Sequence, residues 1–149
     1  PDAFLVIVGT GSELAALEEH ARANSVPARF ITDADDATLA AWYASCDVFA
    51  LLPRELSDGD VEGFGIVYLE AGSFGNPVVG TQSGGVPEAV TDGVTGILVP
   101  PNDPVAAAYA IAQLLEDDVL AARLGAAGVV RASEHSADTF AKQFRAALV

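Results

Sequence analysis

The chain has 149 residues, 51% of them hydrophobic, and a formal net charge of -14 at pH 7. That length can bury one real core, which makes one domain the working count, and no apolar run approaches the roughly 18 to 20 residues of a membrane-spanning helix. The negative surface argues against nucleic acid or anionic lipid as a direct partner of this chain.

The chain opens on Pro1 and Asp2, contains no methionine and enters a hydrophobic strand at Phe4 without a charged leader, so it reads as a piece of something longer. Residues Phe4 to Val8 (FLVIV) form a continuous apolar run bounded by Gly9, as expected of a parallel strand covered on both faces. SELAALEEHARAN follows with helical spacing, and Thr10 and Glu13 are placed for a capping box. A second strand, ARFI, ends at Ile31 and leads through the polar TDADD into the helix DATLAAWYASC, with Asp36 near its start. The third strand, Asp47 to Leu52 (DVFALL), opens into the polar loop PRELSDGDVEG, and a long loop inside a compact domain is usually functional. The single cysteine, Cys46, has no partner for a disulfide or a metal set and suits a reducing compartment.

From Phe64 the pattern FGIVYLEAGSF is helical, Gly75 and Asn76 stop it, and Pro77 opens the fourth strand, PVVG. A Gly-rich loop at Ser83 to Gly85, one helical turn from Pro87, and a tight turn at Asp92 and Gly93 precede the fifth strand, GILVP. The rest is Ala-rich and helical: DPVAAAYAIAQLLEDD, VLAARLGAAGVVRASE and SADTFAKQFRAALV. Alternation at this spacing predicts an α/β fold with an open, Rossmann-like parallel sheet flanked by helices. Ligands bind such sheets at the carboxyl ends of the strands, where four loops gather: Gly9 to Ser12, Thr32 to Asp36, Pro53 to Gly63 and Thr81 to Val86.

Two of these loops carry chemistry. VGTGSE places Gly9 and Gly11 between a strand and a helix, where free amides and the helix dipole favour an anion. The dinucleotide fingerprint wants a third glycine where this chain has Leu14, which lowers an oxidoreductase reading. In VEGFGIVYLEA, Glu62 precedes a helix that carries Glu70. If that helix starts near Gly65, Glu70 lies about 7 to 8 Å beyond the helix mouth at about 1.5 Å per residue. Two sugars joined by a pyrophosphate are separated by a comparable distance, so the two carboxylates can meet hydroxyls of both rings while the amides of Phe64 to Ile66 face the charge between them.

The segment EGFGIVYLEAGSFGNPVV followed by SGGVPEAVTDGVTGILVPPNDP resembles the C-terminal domain of a large family of retaining glycosyltransferases, family 4 in type. That family includes sucrose synthase-like, trehalose-type and mannosyl-phosphoinositol enzymes, and its fold, GT-B, joins two nucleotide-binding domains. The likeness covers essentially the whole chain. It implies that Glu62, the candidate catalytic residue, contacts hydroxyls of the donor sugar and that Glu70 contacts the ribose. It further implies that the amides of Gly63, Phe64, Gly65 and Ile66 meet sugar and diphosphate, and that the loop with Asp35 and Asp36 lies against the nucleobase. A helix-capping role for Asp36 stands beside that reading. Ser83, Gly84 and Gly85 would supply amides near the phosphates or sugar, and Glu88 would organise that loop.

The wording DVEGFGIVYLEA is most similar to bacterial mannosyltransferases that use GDP-mannose, including those acting on phosphatidylinositol mannosides, with a UDP-hexose as the other donor candidate. No cofactor is expected beyond the donor itself, no metal is expected, and Asp58 to Asp60 read as a solvated loop. Family members present an Arg and a Lys to the diphosphate from a segment upstream of the first strand here, and Arg54 is the basic residue expected on the binding edge. The acceptor domain and the family's usual histidine near the reacting sugar are expected in an N-terminal half outside this chain. Any membrane contact would pass through that half if the acceptor is a lipid, in a cytoplasmic protein peripheral to the inner face of the plasma membrane. His20 and His135 read as solvated. Two alternatives remain: a non-catalytic nucleotide-binding module of the same fold and, more distantly, an NAD-dependent oxidoreductase domain.

Overall fold

The computed structural model describes residues 2–53 and 63–135. Arg54 and Glu62, the long polar loop between them, and the last predicted helix lie outside the described residues. The chain divides into two units, Pro1–Ala44 and Ser45–Val149.

In the first unit β1 (Leu5–Val8) pairs in parallel with β2 (Ala28–Ile31), from Leu5 opposite Ala28 to Val8 opposite Ile31. The intervening helix α1 is Leu14–Ala23, and β2 leads to α2, Asp36–Ser45. The expected capping box does not form. Leu14 donates its amide to the Gly11 carbonyl at 3.3 Å in a tight turn, Glu13 becomes the N-cap, and no side chain caps this helix. With the helix starting at Leu14, Thr10 and Glu13 both precede it, so the register that a box requires is lost. Nor is β1 covered on both faces: Leu5 and Val8 are exposed and the central pair is only half-buried, because α1 buries no residue completely. The Arg29 guanidinium sits 5.7 Å from the centre of the Trp42 ring, a cation–π contact between β2 and α2.

In the second unit β3 (Phe49–Ala50), β4 (Val78–Thr81) and β5 (Gly96–Val99) form a parallel sheet in that order. The one sheet expected from the alternation is therefore two parallel sheets. β3 is shorter than the Asp47 to Leu52 run because only Phe49 and Ala50 keep ladder register with β4. The central strand β4 is buried at every position, the signature of a strand packed on both faces. Helices α3 (Ile66–Ser73), α4 (Val86–Ala89), α5 (Pro104–Glu116) and α6 (Asp118–Glu134) complete the unit. Val79, Val99, Ala107, Ala110, Leu114 and Leu124 form its core. Asp103 and Asp117 cap α5 and α6, each accepting a backbone amide at 2.9 Å, from Ala106 and Leu120. No described helix is long and apolar enough to cross a membrane.

Candidate functional site

The second unit brings two of the predicted segments into contact. α3 is entered through Gly65, whose φ of 78° and ψ of 57° lie in the left-handed region that glycine adopts without strain. Tyr68 donates its amide to the Gly65 carbonyl at 3.0 Å. The amides of Ile66 and Val67 therefore precede the first helical bond. No side chain caps this N-terminus, where backbone dipoles favour negative charge. Ahead of it, the backbone of Gly63 and Phe64 lies directly over Gly85: a Cβ at Gly85 would overlap the Gly63 carbonyl oxygen and come within 3.1 Å of the Phe64 Cα. Gly85 is the position where the absence of a side chain lets the two loops touch.

The Ser83–Gly85 loop is itself shaped by local bonds. Ser83 is buried, its amide donates to the Thr81 carbonyl at 2.9 Å, and Val86 donates back to the Ser83 carbonyl at 3.2 Å. Gly84 is exposed in a left-handed conformation, φ 54°. Glu88 acts on this loop from behind, its amide donating to the Gly85 carbonyl at 2.9 Å. The Glu70 side chain is exposed on α3, and the Ser73 hydroxyl donates to its carbonyl at 2.6 Å, so α3 presents the carboxylate from a regular helical turn.

Sequence reasoning missed the residues that hold these segments against the sheet. The Tyr68 hydroxyl donates to the Leu51 carbonyl at 2.7 Å, and its ring meets Phe49 edge-on at 5.9 Å. The Thr81 hydroxyl donates to the Pro53 carbonyl at 2.7 Å. Tyr68 and Thr81, almost completely buried, thus fix the backbone at the carboxyl ends of β3 and β4. The only signal for either was its polar group inside an apolar run. His135, read as solvated, is exposed yet stacks at 5.9 Å on Phe64, a contact between segments far apart in sequence that spacing does not reveal.

In the first unit Gly9 and Gly11 flank the turn before α1. The Gly9 amide donates to the Ile31 carbonyl at 2.9 Å, so this amide is engaged in extending the sheet and is not among the free donors expected for an anion. Asp35, not Asp36, caps α2: its Oδ1 accepts the Thr38 amide at 2.8 Å. Asp36 is instead the acidic residue of the first turn. Hydrogen bonds from Thr38 hold the Asp35 carboxyl below its ordinary value of 3.8. Among the described residues no group of three or more His, Cys, Asp or Glu side chains is arranged to hold a metal ion.

A family model described as Glycosyl transferases group 1 matches residues 1–131. The chain is 44% identical over 131 residues to a GDP-mannose-dependent alpha-(1-6)-phosphatidylinositol monomannoside mannosyltransferase of Mycolicibacterium smegmatis, covering 86% of this chain and 34% of that protein. It is 39% identical over 110 residues to a D-inositol 3-phosphate glycosyltransferase of Corynebacterium diphtheriae, covering 74% of this chain and 23% of that one. Among solved structures, Anabaena HepE in complex with UDP-glucose is similar at a TM-score of 0.80 and 26% identity, over 99% of this chain and 41% of that chain. The sucrose-phosphate synthase of Thermosynechococcus elongatus is similar at a TM-score of 0.77 and 28% identity, over 96% of this chain and 38% of that one. The chain thus spans about a third or less of the length of these curated relatives.

Proposed function

The chain belongs to the group 1 glycosyl transferases, and from that premise we propose that it is the donor-binding part of a retaining enzyme that moves a hexose from a nucleotide sugar to a hydroxyl acceptor. The donor we favour is GDP-mannose, the substrate named for the M. smegmatis relative. The observation that carries this reading is the uncapped N-terminus of α3, entered through left-handed Gly65, with the Gly63–Phe64 backbone seated on Gly85 and Glu70 exposed further along the same helix. Amides at that mouth would face the diphosphate, and Glu70 would accept hydrogen bonds from the ribose hydroxyls.

In the transfer the bond from the anomeric carbon to the diphosphate oxygen breaks, and the electron pair leaves with the diphosphate. The acceptor oxygen bonds to the anomeric carbon, and its proton passes to the departing phosphate. The work of this chain is positioning and stabilising the charge that develops on the leaving group. Glu62 is assigned to the hydroxyls of the transferred sugar. The acceptor site would belong to the remaining part of a longer protein, and with it any contact with a lipid acceptor at a cytoplasmic membrane face.

The test is calorimetric titration of the chain with GDP-mannose, UDP-glucose and NAD, repeated on Glu70→Ala. Saturable binding of one sugar nucleotide, weakened about tenfold or more in Glu70→Ala, is the expected result. Because Glu70 is exposed, the substitution should change stability by no more than about 0.5 kcal/mol. Preference for NAD, or no uptake of either sugar nucleotide, would sink the proposal.

A further inference from the structure

The last turn of α6 reaches Phe64 at the mouth of α3 and the short helix α4 that follows the Ser83–Gly85 loop. α6 lies against α3, their backbones meeting closely where Gly128 faces Gly72. Three residues beyond that crossing, Arg131 donates from Nη2 to the Glu88 carbonyl in α4, the short helix that follows the Ser83–Gly85 loop. Its other terminal nitrogen pairs with Glu134 at 3.7 Å. One turn later His135, the C-cap of α6, places its ring 5.9 Å from that of Phe64 with the planes inclined by 35°. The His135 Nδ1 lies 3.0 Å from the Arg131 carbonyl oxygen; with its proton on Nδ1 the imidazole donates there, which fixes the ring against Phe64.

A site built from backbone amides has no side-chain geometry of its own to fix it, so its strength depends on how firmly the surrounding elements hold the backbone. Gly85 already sits beneath Gly63, and from one helical turn these two contacts reach Phe64, next to Gly63, and Glu88, whose amide donates to the Gly85 carbonyl. We infer that Arg131 and His135 are positioning residues for donor binding, holding the Ser83–Gly85 loop and the Phe64–Ile66 amides in the arrangement that accepts a diphosphate, without touching the donor themselves. The inference rests on the donor-site reading above. Without the brace the loops would spend part of their time in arrangements that cannot bind, and the apparent affinity would fall by that fraction.

The experiment uses His135→Leu, His135→Phe and Arg131→Met in the whole chain. Three quantities are read: the thermal midpoint, backbone amide exchange at Phe64–Ile66 and Gly84–Val86 by NMR without ligand, and the dissociation constant for GDP-mannose. His135 is exposed at a helix end, so His135→Leu should leave the midpoint nearly unchanged. It should speed exchange at Phe64–Ile66 about threefold or more and weaken GDP-mannose by a similar factor. His135→Phe, which keeps a ring against Phe64, should return both to within about twofold of the parent. Arg131→Met should speed exchange at Gly84–Val86 first. Unchanged exchange in a folded His135→Leu overturns the inference, as does failure of His135→Phe to restore it, which would mean that the imidazole acts on something other than the Phe64 ring. If the parent chain takes up no sugar nucleotide, the proposed function fails, while the exchange data still decide whether the brace exists.

Discussion

Substituting Gly85 with alanine tests the backbone site most directly. Gly85 has φ -85° and ψ 0°, a conformation open to any residue, so the substitution introduces no backbone strain. The consequence is a collision: the new Cβ would overlap the Gly63 carbonyl oxygen and lie 2.6 Å from its carbon and 3.1 Å from the Phe64 Cα. Ordinary carbon contacts begin near 3.5 Å, so the Gly63–Phe64 backbone must retreat by about 1 Å. Overpacking of this kind costs about 1 to 3 kcal/mol, and for a chain of this size each kcal/mol lowers the thermal midpoint by about 2 to 4 °C. A displacement of about 1 Å also takes an amide out of hydrogen-bonding reach of a phosphate oxygen. A charge-assisted bond is worth about 1.5 to 3 kcal/mol, so affinity should drop about ten- to hundredfold. The control is Gly125→Ala, whose Cβ would overlap the Gly75 carbonyl oxygen and lie 2.9 Å from its carbon, a collision of the same kind between α6 and the segment after α3. Both variants should lose comparable stability in urea titrations, and only Gly85→Ala should lose GDP-mannose in calorimetry below both midpoints. Equal affinity in Gly85→Ala and the parent refutes the assignment of the Gly63–Gly85 pair to the donor.

Two titratable groups give further expectations. The Asp35 carboxyl is held below its ordinary value of 3.8 by hydrogen bonds from Thr38, so its contribution to stability is complete above that value and is lost as the pH falls through its lower folded value. Urea midpoints measured from pH 5 down to about 2.5 should therefore fall less steeply for Asp35→Asn than for the parent, and identical slopes would contradict the cap. Burial, with the neighbouring charge of Asp47, raises the Cys46 thiol above its ordinary value of 9.0. A disulfide reagent at pH 8 should label it well below the rate of a free thiol and reach that rate in denaturant; rapid labelling of the folded chain would contradict the burial.

Elements whose signals are local were legible in the sequence. β2 falls on ARFI, a short run bounded by turn residues, and α3 lies within the helical pattern read from Phe64 but starts at Ile66, after Gly65 takes the left-handed N-cap geometry that favours glycine. Local signals misled where two neighbouring residues compete for one role. Asp35 and Asp36 are equally good caps by composition, and in the folded chain it is Asp35 that meets the Thr38 amide. Thr10 and Glu13 satisfy the spacing of a capping box, but the turn at Gly11 displaces the helix start past both. What spacing could not reveal is contact between distant segments. The seat of Gly63 on Gly85, the hydroxyl of Thr81 on Pro53 and the ring of His135 on Phe64 each join residues that no periodicity relates.

Under the proposed function, the charge of the chain makes such backbone contacts matter more than side-chain charge. A domain at -14 that binds a diphosphate must meet two phosphates with something other than its overall field, which repels them. Its described arginines are committed to structural contacts. Arg22 pairs with Glu19, Arg29 lies over Trp42, Arg123 donates to the Gly93 carbonyl at 3.1 Å, and Arg131 donates to the Glu88 carbonyl. Under the proposed function, the described part of the chain therefore recognises the anion through oriented amides at the mouth of α3, whose partial charges are fixed in direction and carry no counter-ion. Short of proline, a substitution moves such an amide and does not remove it. For that reason a single methyl group at Gly85 probes this site more sharply than the loss of any described arginine, and the loss of Arg131 should act through the position of the Glu88 carbonyl rather than through its charge.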